Sequence, residues 1–389
     1  MTQTQVKNYI TLPDVDIDQD VQTEEMLVNM GPQHPSTHGV LRLVLRTDGE
    51  MVLEAIPHIG YLHRCAEKIG ENVAYFQYTP YTDRMDYVAG MNNNVGWCEA
   101  VERLAKLEVP RRAQFIRVIM CELNRIASHL VAFGTYALDL GAFTPFLYAF
   151  REREFCLDLF EAACGARLTY SYATPGGLMH DLTPDWVTKC SEFLDYFEPK
   201  IAEYDQLLTY NHIFVKRTAN VGVITPKLAT DYGLTGPILR SAGVKWDLRR
   251  DLPYLVYPEL EFDIPVGTGR MGQVGDCWDR YNVRLDEIRQ SVRILRQALK
   301  MLPEGPYRIA LPRIFKVPAG EVYVETEGAR GQLGFYLESQ GGPVPYRVKA
   351  RGPSFCNISV IPALCKDCLL GDVPAIVGSL DMVLGECDR

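Results

Sequence analysis

Apolar and polar residues alternate from about residue 26 to 60, through MLVNMG and then GVLRLVLRTDGEMVLEAIPHIG. A period of two is that of half-buried strands, and Asp48-Gly49 between two alternating runs predicts a hairpin. From Arg64 to about Lys216 apolar residues instead recur at three and four, in NVGWCEAVERLAKLEV, RRAQFIRVIMCELNRIASHLVAFGTYALDL and FLYAFREREFCLDLFEAACGARL. The same spacing runs through DWVTKCSEFLDYFEPKIAEYDQLLTYNHIFVKR, with Pro184 near its start. This predicts a bundle of four or more long helices. A further helix is expected over about Trp278 to Met301, stopped by Leu302-Pro303, and short strands return in GEVYVETEGARGQLGFYLES and YRVKARGPSF. Residues 1–25 are acidic and poor in apolar side chains, which predicts a poorly ordered arm. The class is α+β: an acidic N-terminal arm (1–25), an antiparallel β hairpin region (26–63), a long-helix bundle with connecting loops (64–302) and a C-terminal mixed α/β part (303–389).

Composition narrows the function classes. The 389 residues are 47% apolar and 23% charged, ordinary for a globular chain with a real core. A formal net charge of -9 argues against a nucleic-acid partner, which calls for a basic surplus. The most apolar stretch, residues 117–150, is interrupted by Glu122, Asn124, Arg125, His129 and Asp139 and reads as buried helix rather than a membrane span. The N-terminus has neither the basic nor the apolar part of a secretory leader. Eleven cysteines without a framework predict reduced thiols in the cytoplasm.

A few stretches carry chemistry. GPQHPSTHGV, residues 31–40, sets His34 and His38 four apart. On a helix that spacing binds zinc, but Pro32, Pro35 and Gly39 make this a turn or loop. Asp139 is a lone acid in a nearly uncharged stretch; a buried acid needs a partner, and a histidine is the one that lets it work near neutral pH. YTPYTDRMDYVAG, Tyr78 to Gly90, gathers three tyrosines, two aspartates and Arg84. It reads either as a helix cap with Asp83 starting the helix, or as a wall for an aromatic ligand with a phenol ready to donate a proton. ELNRIASH, Glu122 to His129, reads as ion pairs inside the bundle. GTGRMG, Gly267 to Gly272, matches GxGxxG after the strand-like LEFDIPV, but QVGDC intervenes before a helix too charged for the dinucleotide motif. CKDC, Cys365 to Cys368, lies between Cys356 and Cys387. Four thiolates hold zinc or an iron–sulfur cluster, yet the outer spacings form no second pair and free buried cysteine is common.

Taken together, GPQHPSTHGVLR, PHIGYLHR, YTDRMDY, ELNRIASHL, ALDLGAFTPF, GVKWDLRRDLPY, DCWDRY, RQSVRILRQ and GSLDMVLGECDR resemble one family from about Glu25 to Arg389. It is that of the D subunit of respiratory complex I, the NADH:quinone oxidoreductase, which descends from the large subunit of nickel–iron hydrogenases. The resemblance implies a hydrogenase large-subunit-like fold and a proton-translocating, quinone-reducing enzyme active only within its complex. By it, the loop of His34 and His38 borders the quinone pocket, His38 and Tyr87 hydrogen-bond the headgroup, and Asp139 pairs with His38. Arg84 lies near the terminal [4Fe-4S] cluster held by the B subunit, as does Thr169, where the family usually has histidine. The implied partners are the B and C subunits, the quinone-channel membrane subunit and quinone, in a hetero-oligomer peripheral to the cytoplasmic face of a bacterial membrane. This chain itself holds no cofactor or metal: Asp86, Ala89, Val383 and Glu386 stand where the hydrogenases place nickel-binding cysteines, and a soft metal centre has no ligands without thiolates. By the same token the old metal cavity is expected to be free for quinone. The alternatives are a hydrogenase-like metalloenzyme, a non-catalytic scaffold, and the equivalent subunit of a ferredoxin-fed quinone oxidoreductase. Thr174 and the glycine-rich loop 267–275 depart from the family pattern.

Overall fold

The computed structural model describes residues 25–32 and 39–389. The arm read at 1–25, except Glu25, lies outside the described residues, as do His34 and His38. Strands β1 (Met26–Met30), β2 (Arg42–Asp48) and β3 (Met51–His58) form an antiparallel sheet in that order. The predicted hairpin turns at Gly49, whose φ of +57° suits a residue without Cβ. Leu43, Leu45 and Val52 are buried while their strand neighbours are partly exposed, the alternation read from sequence.

Short α1 (Ala66–Gly70) and α2 (Thr79–Asp83) lead into the long α3 (Gly90–Ala105), α4 (Arg111–Asp139), α5 (Phe143–Cys164) and α6 (Pro184–Tyr204), with a small hairpin of β4 (Ala173–Thr174) and β5 (Gly177–Leu178) between the last two. Thr183 caps α6 by accepting from the Trp186 amide, ahead of Pro184. The sequence pattern ran this helix on to Arg217. Instead it loosens into a π turn over Asp205–Thr209 and stops, and Asn211 Oδ1 caps a new helix, α7 (His212–Thr218), from the Ile213 and Phe214 amides. Then come α8 (Pro226–Asp231), α9 (Gly236–Ser241), α10 (Leu248–Asp251) and the long α11 (Cys277–Met301).

The strand-like LEFDIPV is irregular, with no strand at 260–266. The glycine-rich loop after it wraps the start of α11. Asp279 Oδ2 accepts from the Gly269 amide at 2.9 Å and the Gly275 amide at 3.3 Å, and Asp276 Oδ2 from Gln273 at 3.1 Å. A Cβ at Gly267 would collide with the Ser241 carbonyl. The glycines thus serve backbone approach and capping, and amides that a pyrophosphate would need are already taken.

Strands β6 (Gly320–Gly328), β7 (Gly331–Ser339) and β8 (Arg347–Arg351) form a second antiparallel sheet packed on α3, where Tyr78, Trp97, Phe335 and Val348 make an apolar cluster. Four short helices close the chain: α12 (Pro353–Ile358), α13 (Ile361–Cys365), α14 (Val373–Ser379) and α15 (Leu384–Asp388). α14 packs on α4 and α11, and the main core runs through Leu43, Ile119, Leu295 and Ile376. The class is α+β. Among the described residues no helix is long and apolar enough to cross a membrane.

Candidate functional site

The RMDY stretch is the turn between α2 and α3. Asp83 is not a helix start, as one sequence reading had it, but the last residue of α2. Asp86 Oδ1 accepts from the Val88 and Ala89 amides at 3.2 and 3.1 Å, and Asn124 on α4 bonds both the Met91 amide and the Val88 carbonyl. With its backbone satisfied from both sides, the turn holds Tyr87 outward, 37% exposed. One side of the ring faces Gly385: a Cβ there would lie 3.0 Å from Tyr87 Cε1 and 2.7 Å from the Met85 carbonyl. Partial burial raises the phenol above its ordinary pKa, with Arg330 and Arg64 pulling the other way. At neutral pH Tyr87 is therefore a proton and hydrogen-bond donor.

Beneath it, Asp86 and Glu386, two of the positions that the resemblance sets where hydrogenases carry metal ligands, lie near one another. Glu386 Oε2 accepts from the Ser354 hydroxyl at 2.6 Å and amide at 3.1 Å, and the same hydroxyl bonds the Val383 amide. Arg330 from the β6–β7 turn enters between the two segments, 2.8 Å from Asp86 and 3.3 Å from Asp381. A guanidinium supplies the positive charge these buried carboxylates need. Burial opposes its charge, but Asp381 and Asp86 hold it firmly protonated. Burial, with Asp86 close by, pushes Glu386 up to about 7 against the pull of Ser354 and Arg330. Arg330 and Glu386 are functional candidates that the sequence reading passed over or valued only as lost ligands.

Asp139 ends α4 half-buried rather than buried. Its Oδ2 lies 2.8 Å from where a Cβ on Gly378 of α14 would stand. The chain re-emerging from the loop of His34 and His38 does so at Gly39, whose Cβ position is 3.2 Å from Leu384 Cδ1. Leu384 neighbours the Gly385 that backs Tyr87. Asp139 and Tyr87 thus contact the two ends of one C-terminal strap, residues 378–385, and Gly39 lies against it.

Just after α2, Arg84 is exposed and bonds the Pro80 carbonyl at 2.8 Å. Thr169 is half-buried with φ +55°, and Ser171 follows at +46°, conformations costly for side chains with Cβ. The segment is held by Asp83, whose Oδ2 accepts from the Ser171 amide at 2.7 Å and hydroxyl at 2.9 Å. Arg84 and Thr169 therefore lie on two strips joined at Asp83. Burial pushes Asp83 up to about 6, opposed by Ser171, Asn94 and Arg84, and its Oδ1 has no hydrogen bond among the described residues. The sequence offered no signal for this beyond an acid in a crowded turn.

Glu122 forms the interior ion pair expected of ELNRIASH, while burial lowers the pKa of His129, which makes a hydrogen bond to Glu287. Glu122 meets Arg249 at 3.1 Å, His129 Nε2 meets Glu287 at 2.8 Å, and Arg125 donates to the Glu327 and Gly328 carbonyls at 2.8 Å. Cys356 contacts Arg351, and Cys387 sits in α15. Among the described residues no three His, Cys, Asp or Glu side chains are grouped to hold a metal ion.

Comparison with known proteins gives the family of the chain. Residues 139–315 and 310–389 match the family described as Respiratory-chain NADH dehydrogenase, 49 Kd subunit, whose fold is hydrogenase large-subunit-like. The chain is 54% identical over 377 residues to the NADH-quinone oxidoreductase D subunit of Chlorobium luteolum, covering 96% of this chain and 95% of that one. It is likewise 54% identical over 379 residues to the D subunit of Chlorobaculum tepidum, with 96% and 95% covered. The D 2 subunit of Sorangium cellulosum shares 51% identity over 368 residues, 94% of this chain and 95% of its own. With Tyr87, Arg330 and the C-terminal strap arranged on a fold of this kind, the chain belongs to the family of the respiratory-chain NADH dehydrogenase 49 kDa subunit, the D subunit of the NADH–quinone oxidoreductases, and is an oxidoreductase subunit.

Proposed function

We propose that this chain provides the quinone-reducing site of a proton-translocating NADH:quinone oxidoreductase. Quinone takes up two electrons and two protons to become quinol. Tyr87 and His38 hydrogen-bond the headgroup oxygens and supply protons to them, and His34 borders the same pocket. Asp139 holds His38 in position and stabilises its charged form. Electrons come one at a time from the terminal [4Fe-4S] cluster of the B subunit, docked against the face of Arg84 and Thr169, and this chain contributes no metal or cofactor of its own. The B and C subunits and the quinone-channel membrane subunit are its partners in a hetero-oligomer at the cytoplasmic face of the membrane. When His38 gives up its proton, Asp139 loses its counter-charge, a local electrostatic change of the kind that biases a two-state element and starts coupling to proton pumping.

The observation that carries this reading is the outward phenol of Tyr87, protonated at neutral pH and standing on the strap that Gly39, next after His38 in sequence, packs against. The test is Tyr87→Phe, and separately His38→Ala, in the assembled complex. Quinone reductase activity is expected to fall about 10²-fold, while the upstream clusters are still reduced by donor. Wild-type quinone kinetics in both variants would place the pocket elsewhere.

A further inference from the structure

The CKDC motif has no part in the site described above, and its geometry is that of a reactive pair. α13 ends at Cys365. Lys366 follows with φ −66° and ψ 131°, and Asp367 with φ +60°, the two central residues of a type II turn in which aspartate takes the place usual for glycine. The Cys368 amide closes the turn onto the Cys365 carbonyl at 3.4 Å. Such a turn keeps its first and last Cα atoms within about 7 Å, close to the span a disulfide bridges. The turn is also held from outside. The Asp367 amide donates to the Val52 carbonyl at 2.8 Å, the Val52 amide donates to the Cys368 carbonyl at 2.9 Å, and the Leu370 amide to the Glu50 carbonyl at 2.8 Å. Its strained residue is therefore pinned to β3.

We propose that Cys365 and Cys368 are a thiol–disulfide pair that exchanges with a small disulfide of the glutathione class. Cys368 is half-buried and Cys365 buried, so the two have different roles. The Cys365 thiol beside it lowers the pKa of Cys368, and the same proximity together with burial raises Cys365. Cys368 is thus the attacking thiolate. It displaces one glutathione thiolate and forms a mixed disulfide. Cys365 then passes its proton to the released thiolate and attacks Cys368 Sγ, expelling the second glutathione. Two protein thiols are oxidised to one disulfide, and one glutathione disulfide is reduced to two thiols. The buried cysteines at 98, 121, 156 and 190 have pKa values raised by burial and behave as small apolar residues. The closed bond would staple the end of α13 to the turn clamped on β3, in the sheet whose β1–β2 loop carries His34 and His38.

The test equilibrates the assembled complex in glutathione buffers of graded potential, alkylates remaining thiols and analyses the peptide spanning Cys365 and Cys368 by mass spectrometry. The expected result is a peptide lacking two hydrogens and resistant to alkylation in oxidising buffer, its ratio to the dithiol changing about tenfold per 30 mV, the two-electron slope. Cys365→Ser should trap glutathione on Cys368, and Cys368→Ser should leave Cys365 free of glutathione. Two alkylated thiols at every potential would overturn the proposal. So would oxidation that joins Cys365 to Cys277, the other thiol near it.

Discussion

Two clusters of buried arginines and carboxylates differ in how their acids are held. In the core, each carboxylate meets a guanidinium: Glu122 and Asp247 from Arg249 at 3.1 and 2.7 Å, Glu287 and Glu327 from Arg240 at 2.7 and 2.8 Å. Burial works against the charge of Glu287, yet Arg240 and His129 hold it well below its usual range. Under Tyr87, Arg330 serves Asp86 and Asp381, Arg284 reaches Asp381 at 3.7 Å, and among the described residues Glu386 accepts hydrogen bonds only from Ser354. Glu386 is accordingly pushed up to about 7, and Asp381 keeps a buried oxygen without a hydrogen bond among the described residues. Glu122, Asp247 and Glu287 of the core cluster are held below their usual range, whereas burial and Asp247 push Glu327 up against the pull of Arg240, and the cluster joins α4, α9, α10 and α11. The cluster under the phenol contains an acid that changes protonation near physiological pH.

The largest effect should come from the core. Arg240→Leu leaves Glu287 and Glu327 buried without their guanidinium, and losing one partner of a buried pair costs about 3–5 kcal/mol. Chemical denaturation of the purified chain, or its failure to assemble, would show it. A loss below about 1 kcal/mol would mean that water reaches this cluster and that the contrast with the Tyr87 site is false.

Next in size is Glu386→Gln. The native pKa of Glu386 lies above that of an unfolded glutamate, so the native state binds the extra proton. The stability this group contributes is fully present below about pH 4.5 and is lost as pH rises through about 7. The glutamine variant should gain on wild type at pH 8, by about 1–3 kcal/mol, and scarcely at pH 5. Denaturation at the two pH values decides it, and an equal difference at both would show that Glu386 does not titrate in this window. Glu287 has the opposite sign: its stability is present at neutral pH and lost in acid.

Smaller again is Gly385→Ala. The added methyl meets the Met85 carbonyl at 2.7 Å and the Tyr87 ring at 3.0 Å, so the strap or the phenol must shift by a fraction of an ångström. Quinone reductase activity should drop on the order of tenfold with normal cluster reduction. Unchanged activity would show that the strap does not position Tyr87.

What was legible in the sequence was what is local and periodic. The hairpin at Asp48-Gly49, the long helices and the strands after 320 all follow from spacing. LEFDIPV misled because its apolar residues pack from an irregular segment, and the helix running to Arg217 broke where Asn211 offers a better cap. Tyr87 stood out through the crowded RMDY turn and the family resemblance. Arg330 did not, because it meets Asp86 across 244 residues of sequence, and Ser171 reaches Asp83 across 88. No periodicity encodes pairs that distant. Asp83 looked like a cap because the sequence does not show on which side of it the helix lies.

The smallest effect lies at that aspartate, on the edge of the second cluster's region. Where relatives are expected to carry histidine, Thr169 does not ionise between about pH 5 and 8, so on the proposed reading the neighbouring cluster lacks its usual proton-linked partner. Asp83, which bonds Ser171 two residues on, is pushed up to about 6 by burial. Adding an electron to the cluster disfavours a nearby carboxylate and raises this pKa further. Proton uptake is then confined to a window just above pH 6, and the group is neutral below it and ionised above it in both redox states. The cluster potential should fall with pH only across that window, with a slope well short of the one-electron value of about 60 mV per unit, and be flat toward about pH 8. Asp83→Asn should remove the remaining slope, and Thr169→His should extend it upward. A redox titration followed by EPR at several pH values reads both. A full slope from about pH 6 to 8 that survives Asp83→Asn would show that a different group, such as the exposed His180, carries the proton.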